Sequence, residues 1–414
     1  MVTRSKALKL SAAVGAVALA SVTLGVAGAS AQSTSAIATA SYIHFPKVVV
    51  WTTSPIASPA LAAGDYAQDT VIQITNTSTD PIDVNCYYVN ANRHCGGPPG
   101  SGPVCRTDAD CPAGIRCIPG WQSADFRLDL TPRQPVGWVA STGLNRLPCF
   151  DCAPPNNQSG LVPAVTEQPF IGELRCFVVE NDTPVDADVL KGEATIVESG
   201  PFGAPTEVLA AAYNAIGFQA TDDGQGGDAL CLGGAPAGAS CAASYTPCAA
   251  NLSLQHYFDG AETSAGIVHT ELTLAPCSAQ LEAGDLISPA NRVVALMLVY
   301  NEFEQRFSTG TVVDCLENLR LVDLDTPLGP AGDAFSLFSI GTQGTLGGQT
   351  RIKGQTSDNG FGPGLVAVAH QYFAPTNNGA GPTSSAAYQV NGNFAAEPVP
   401  DAVYPPLAQF PAGP

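Results

Sequence analysis

Charge is scarce in this chain. Only 13% of its 414 residues are Asp, Glu, Lys or Arg, about half the usual share of a globular domain. Disorder driven by self-repulsion and long solvated helices are both disfavoured. Basic residues are the scarcest, 17 against 36 acidic, for a formal net charge of −19. So acidic a chain lacks the electrostatic footprint for a phosphate backbone, and no nucleic-acid partner is expected. Aromatics reach 7%, with three tryptophans at 51, 121 and 138, which leaves little material for a sugar-stacking platform. No HExxH, GxSxG, P-loop, GxGxxG or CxxCH pattern occurs, so the local signatures of common metal, nucleotide and haem chemistry are missing. A Ser-His-Asp triad is spatial and stays open. The sequence assigns no catalytic residue and no cofactor.

What is there begins with an export signal. Arg4, Lys6 and Lys9 precede an uncharged apolar run at 10–27, and Ala29-Ser30-Ala31 supplies a small-x-small cleavage site. Residues 1–31 therefore read as a secretory signal peptide and 32–41 as a linker. No later stretch is long and apolar enough to span a bilayer. A secreted protein, extracellular or periplasmic, is expected.

Thirteen cysteines fit that compartment: Cys86, Cys95, Cys105, Cys111, Cys117, Cys149, Cys152, Cys176, Cys231, Cys241, Cys248, Cys277 and Cys315. In an oxidising environment they read as disulfides, and the odd number leaves at least one thiol over. Cys149-Phe-Asp-Cys152 has redox spacing, but Ala-Pro-Pro-Asn-Asn follows where a redox helix would begin. Cys86 has two candidate partners. Cys95 lies across a short turn, while Cys176 shares its inward parity with Leu174 and Val178 and could bridge two sheets. Proximity in sequence favours Cys95.

Glycine and proline are plentiful, 42 and 34 residues, and they punctuate short strand-like segments. Segments 48–51, 70–75, 83–89, 125–130, 136–139, 171–179 and 193–197 are β-branched or alternate apolar with polar. Asn76 to Pro81, Thr131 to Pro135 and Glu180 to Pro184 carry turn chemistry between them. Only 208–215 suggests a short helix. The segment 292–300 is a continuous apolar run, read as a strand buried on both faces. Strands are also read at 251–258 and 267–275.

The fold class expected is all-β: two antiparallel, immunoglobulin-like sandwiches supported by disulfides, with long Gly/Pro-rich loops. The first spans 42–199 with a Cys-rich insertion at 96–121. The second spans 207–374, and 375–414 forms a Pro-rich extended tail. Asn76 and Asn301 each close a central strand, which suggests that the second sandwich duplicates the first.

Three groups of residues have the composition of sites. Asp222, Asp223 and Asp228 lie on a glycine-rich stretch, as weak calcium ligands would, but EF-hand spacing is absent and a solvated acidic turn is the simpler reading. Asp108 and Asp110 sit in a loop that a disulfide already explains. Glu302 and Glu304 flank Phe303, and on a strand they share a face about 6.6–6.8 Å apart. That is compatible with a glycosidase pair, yet such pairs usually come from separate strands. Arg306 continues their alternation, which favours a solvated charged edge. His256 and His269, on separate strands, would bind copper or zinc only if brought together.

The Cys105-Arg-Thr-Asp-Ala-Asp-Cys111-Pro-Ala-Gly114 element resembles cysteine-stapled loops of exported proteins from environmental bacteria. The stretch from Asp69 through Thr75-Asn76-Thr77-Ser78 to Cys86, with Leu130 to Gln134 and Gly172, resembles immunoglobulin-like bacterial envelope domains. The resemblance covers about 130 residues and implies fold and location, with no activity. The expected role is structural or adhesive, in the cell envelope or outside the cell, without catalysis. The alternative is an extracellular protein that binds or hydrolyses glycans.

Overall fold

The computed structural model describes residues 38–51, 67–97, 102–105, 108–119, 122–143, 162–199, 208–223, 226–236, 238–263, 266–281, 292–325, 335–356, 364–374, 384–393 and 400–405. The expected signal peptide, Trp121, Cys149 and Cys152 lie outside them. Within these residues the protein is nearly all strand, and most pairings are antiparallel.

The alternation at 83–89 and 125–130 becomes neighbouring strands of one sheet. Sheet I runs Ile216–Phe218, Tyr42–Val50, Phe170–Glu180, Ile82–Asn90, Gln122–Leu130. Sheet II runs Val208–Asn214, Leu190–Ser199, Ala67–Asn76, Pro135–Val139. Because strand side chains alternate between faces, one parity of sheet I meets sheet II. Phe45, Cys86, Leu174 and Cys176 pack there with Ile72, Ile74, Trp138 and Ile196.

The other face of sheet I is covered as well. Tyr42, Tyr87, Phe177 and Phe218 join Leu230, Tyr245 and Val403 in a second buried cluster. Every residue of Tyr42–Val50 is buried in consequence. The covering sheet III runs Ala220–Asp223, Cys241–Tyr245, Ala229–Leu232, Asp401–Tyr404, Ala279–Gln280 and is mixed. Its parallel pairs join Ala229–Leu232 to Cys241–Tyr245 and Ala279–Gln280 to Asp401–Tyr404.

Besides a small three-stranded sheet of Val104–Cys105, Arg93–Cys95 and Cys117–Ile118 in the Cys-rich insertion, the described residues form a second pair of sheets. Sheet IV runs Arg306–Asp314, Arg292–Asn301, Gly347–Thr356, Asn251–Tyr257, Asn391–Asn393. Sheet V runs Glu262–Thr263, Gly266–Pro276, Leu365–Ala374, Ser384–Gln389, with Glu317–Arg320 also paired to Gly266–Pro276. Leu254, Met297, Val299 and Ile352 of sheet IV pack on Leu272, Leu274 and Ala367 of sheet V. The far side of sheet V leans on the first sandwich. Val368 enters its core, and buried Lys47, at a bulge in Tyr42–Val50, donates to Glu271 at 2.8 Å and Asn318 at 3.1 Å.

Several expectations need correction. The boundary near 199–207 divides no sheets, because Val208–Asn214 pairs with Leu190–Ser199 and Ile216–Phe218 pairs with Tyr42–Val50. Residues 33–414 form one compact unit. The segment 208–215 is a strand rather than a helix. An open sheet edge fixed its backbone against its alanine-rich helical preference, and its small side chains fit that edge. The expected tail supplies the strands Ser384–Gln389, Asn391–Asn393 and Asp401–Tyr404. The run at 292–300 is buried on one face only: Val293, Ala295, Met297 and Val299 are inside, while Leu296 and Leu298 are exposed.

The disulfides join Cys86 to Cys176, Cys95 to Cys111, Cys105 to Cys117, Cys231 to Cys241 and Cys248 to Cys277. Among the described residues Cys315 alone is free, and it is buried. Cys95, favoured from sequence as the partner of Cys86, is instead tied to Cys111. Cys86 and Cys176 face each other on neighbouring strands of sheet I. The bond therefore lies within one sheet, unlike the inter-sheet disulfide of antibody domains.

Candidate functional site

The outer face of sheet IV is open, and it carries a groove of about 860 Å³. The strand Asn251–Tyr257 explains the groove's chemistry. Leu252, Leu254 and His256 point inward, so Ser253, Gln255 and Tyr257 are presented outward. Pairing then sets rows across the sheet. Gln255 lies opposite Gln349, which lies opposite Tyr300; Ser253 lies opposite Arg351, which lies opposite Leu298. Gln349 Nε2 donates to Ser253 Oγ at 3.1 Å. The Arg351 guanidinium sits over the Tyr300 ring, 5.4 Å from its centroid. Tyr257 is 45% exposed.

One wall is the turn after Arg292–Asn301. Asn301 Oδ1 accepts from the N–H groups of Phe303 and Gln305, each at 3.0 Å, and Asn301 Nδ2 donates to Gln343 Oε1 at 3.2 Å. Glu302 is pinned, its Oε1 accepting from Gly347 N–H at 2.8 Å. Gly348 closes the floor. A Cβ there would lie 2.5 Å from the Phe258 ring and 2.9 Å from the Tyr300 carbonyl oxygen.

His256 lies beneath this surface. Its Nδ1 is 3.1 Å from the Tyr257 carbonyl oxygen and its Nε2 is 2.8 Å from Thr350 Oγ1. Burial pulls its pKa from 6.5 down to about 4, so the ring is neutral. A carbonyl only accepts, so Nδ1 carries the proton and Nε2 accepts from the Thr350 hydroxyl. Both nitrogens are engaged. His269 lies on sheet V with Nδ1 2.8 Å from Asp259 Oδ1, while Arg320 bonds the other carboxylate oxygen. The two histidines are not brought together.

Glu302 and Glu304 do meet in the groove, though as members of a turn and not of a strand. Glu304 takes a left-handed backbone, φ 60°. Both carboxylates belong to one wall, whereas glycoside hydrolysis needs them on either side of the scissile bond. Asp222 and Asp223 belong to the strand Ala220–Asp223 rather than to the expected turn. Among the described residues, the one convergence of three potential metal ligands is Cys95, Cys105 and Cys111, and all three are in disulfides. Asp108 caps its loop by accepting from Cys117 N–H at 2.8 Å.

A second polar cluster is sealed inside. On the covered face of sheet I, His44 Nε2 lies 2.6 Å from Glu173 Oε2, and Arg175 Nε donates to Glu173 Oε1 at 2.7 Å. Arg175 continues to the carbonyl oxygens of Cys277 and Pro276 at 2.8 and 2.7 Å. Burial drives His44 to about 4, with Arg175 adding to the effect. Burial alone would raise Glu173, but Arg175 and His44 hold it below the ordinary range. All three are inaccessible, so the cluster stitches layers together and meets no ligand.

No family model matches the chain, and no curated protein matches it either. The low aromatic content argues against a sugar platform, and Trp51 and Trp138 are indeed buried, so tryptophan contributes none among the described residues. The missed residues are Tyr257, Tyr300, Gln255, Gln349 and Arg351. For Tyr257 and Gln255 the signal lies in the alternation of Ser253, Gln255 and Tyr257 with Leu252, Leu254 and His256, which marks a strand with one polar face.

Proposed function

We propose that this is an exported adhesive protein without catalytic activity, which binds glycans through the groove on sheet IV. The observation that carries the reading is the grouping of exposed Tyr257 with Gln255, Gln349, Ser253 and the Arg351–Tyr300 stack on a rigid sheet face. Amide and hydroxyl groups both donate and accept, as sugar hydroxyls do. A tyrosine ring offers an apolar face with a polar tip. Opposed charges within the groove, Arg351 against Glu302 and Glu304, suit a neutral ligand better than a strongly ionic one. The disulfides, the signal-like N-terminus and the absence, among the described residues, of any helix able to cross a membrane are compatible with a place outside the cytoplasm. An immunoglobulin-like kinship remains part of this proposal through the turn-rich sandwich, although the position of Cys86–Cys176 argues against the antibody arrangement.

The test is a glycan array followed by titration of the hits. Binding to neutral oligosaccharides is expected, with Tyr257→Ala weakening it at least tenfold, about 1.4 kcal/mol. Wild-type protein that binds no glycan, or binding that survives both Tyr257→Ala and Arg351→Ala, overturns the reading. Release of reducing sugar during the titration would overturn its non-catalytic part.

A further inference from the structure

The strand Arg306–Asp314 forms one edge of sheet IV. It pairs with Arg292–Asn301 without a bulge from Arg306 to Asp314, and among the described residues no strand pairs with its outer side. Its hydrogen-bonding phase follows from the adjoining turn, where Asn301 N–H donates to Gln305 O at 3.2 Å. Antiparallel pairs alternate between bonded and non-bonded. Odd-numbered residues therefore turn their backbone groups toward Arg292–Asn301, and residues 306, 308, 310, 312 and 314 turn theirs outward. Arg306, Ser308, Gly310 and Val312 are exposed.

Natural edge strands are usually blunted by internal charge, proline or a bulge. This one has none between its ends: Phe307 to Val313 reads Phe-Ser-Thr-Gly-Thr-Val-Val. What it has is self-complementarity. Antiparallel pairing of two copies about Gly310 sets Arg306 opposite Asp314, Phe307 opposite Val313 and Thr309 opposite Thr311, with Ser308 facing Val312. Opposite charges, an aromatic with a β-branched residue, and two threonines are each favourable cross-strand pairs. A slip of two residues in either direction parts Arg306 from Asp314 and leaves an unmatched charge. The Asp314 carbonyl oxygen already accepts from Leu316 N–H at 2.7 Å, so the remaining outward backbone groups would form about eight hydrogen bonds. Asp314, already 2.8 Å from Arg292 Nε, would then lie between two guanidinium groups.

We infer that the protein dimerises with a second copy of itself through this edge, joining two copies of sheet IV into one continuous sheet. An antiparallel pair of identical strands has its two-fold axis perpendicular to the sheet, so both grooves open on the same side. The inference stands on the edge and is independent of what the grooves bind.

Sedimentation of the mature chain over a range of concentrations should show a monomer–dimer equilibrium. Val312→Lys places a charge on the edge, and Ser308→Pro deletes an outward N–H while leaving the bonds to Arg292–Asn301 intact. Each should weaken the dimer at least tenfold with unchanged thermal unfolding. The double variant Ser308→Cys, Val312→Cys should form disulfide-linked dimers on oxidation, and neither single variant should. A wild type that stays monomeric at every concentration, a dimer indifferent to Val312→Lys, or single variants that cross-link as well as the double would each overturn the inference.

Discussion

Asn76 and Asn301 end their strands with the same hydrogen bond. Each is buried at the last residue of a central strand, and each Oδ1 accepts the backbone N–H two residues on, Ser78 at 2.8 Å and Phe303 at 3.0 Å. The side chain imitates a backbone turn, which suits asparagine at a strand exit. Beyond it the two halves diverge. Ile82–Asn90 crosses to the facing sheet I, whereas Arg306–Asp314 folds back beside Arg292–Asn301. The turn is shared, but the connection after it is not.

Replacing either asparagine by alanine should cost stability, about 1–3 kcal/mol, because backbone groups at a buried turn lose their partners. Denaturant unfolding measures this. The functional outcomes should differ: Asn301→Ala also loosens the wall that carries Glu302 and should weaken ligand binding, while Asn76→Ala should leave binding intact. Equal binding in both variants would show that the turn does not shape the groove.

Stability should peak near pH 6.5. Burial lowers His44 to about 4, His256 to about 4 and His370 to about 3, with Lys47 adding to the effect at His370. Below their ordinary 6.5 the unfolded chain takes up these protons and the folded one does not, so stability falls from about pH 6.5 toward 4. Asp401 acts in reverse. Burial raises it from 3.8 to about 7 although Ser278 donates to it. Its folded form keeps a proton that the unfolded form has lost, so its contribution is complete below 3.8 and gone above about 7. A melting series over pH should show a steep acid limb and a shallow decline on the neutral side. Asp401→Asn should flatten the decline and steepen the acid limb, because Asp401 gains stability between about pH 7 and 3.8 while the histidines lose it.

A fragment of residues 42–199 should fail to unfold cooperatively. It lacks Val208–Asn214 and Ile216–Phe218 from the edges of its sheets, and it exposes Tyr42, Tyr87 and Phe177, which sheet III covers in the whole chain. Each such ring contributes about 2 kcal/mol when buried. Calorimetry on the fragment decides the matter, and a sharp transition would restore the idea of a self-sufficient first domain.

Local patterns were legible and their partners were not. Period-two alternation placed Ile82–Asn90, Gln122–Leu130 and Phe170–Glu180 to within a few residues. The same alternation cannot say whether a face meets another sheet or water. Hence the sequence of 292–300 predicts burial on both faces, because Leu296 and Leu298 are as apolar as the core residues between them. Tyr42–Val50, with His44 and Lys47 in its middle, is enclosed on both sides. Polar residues can occupy such a position only when a specific partner awaits, here Glu173 for His44 and Glu271 for Lys47. Those partners lie far along the chain, where one strand's periodicity carries no information. Cys86 illustrates the same limit, since its partner is 90 residues away and a nearby cysteine looked simpler. The groove was missed because its residues come from three strands and only one of those strands alternates cleanly.

The strand Asp401–Tyr404 lies between Ala229–Leu232 and Ala279–Gln280, so a segment synthesised late is inserted between two made earlier. A ribosome delivers the chain in order, and Tyr42 must therefore wait for Val403 before its aromatic face is fully enclosed. Contacts this distant in sequence make folding slow and prolong the exposure of apolar surface. The order of synthesis, and not only the final packing, therefore sets how long this face stays open to aggregation.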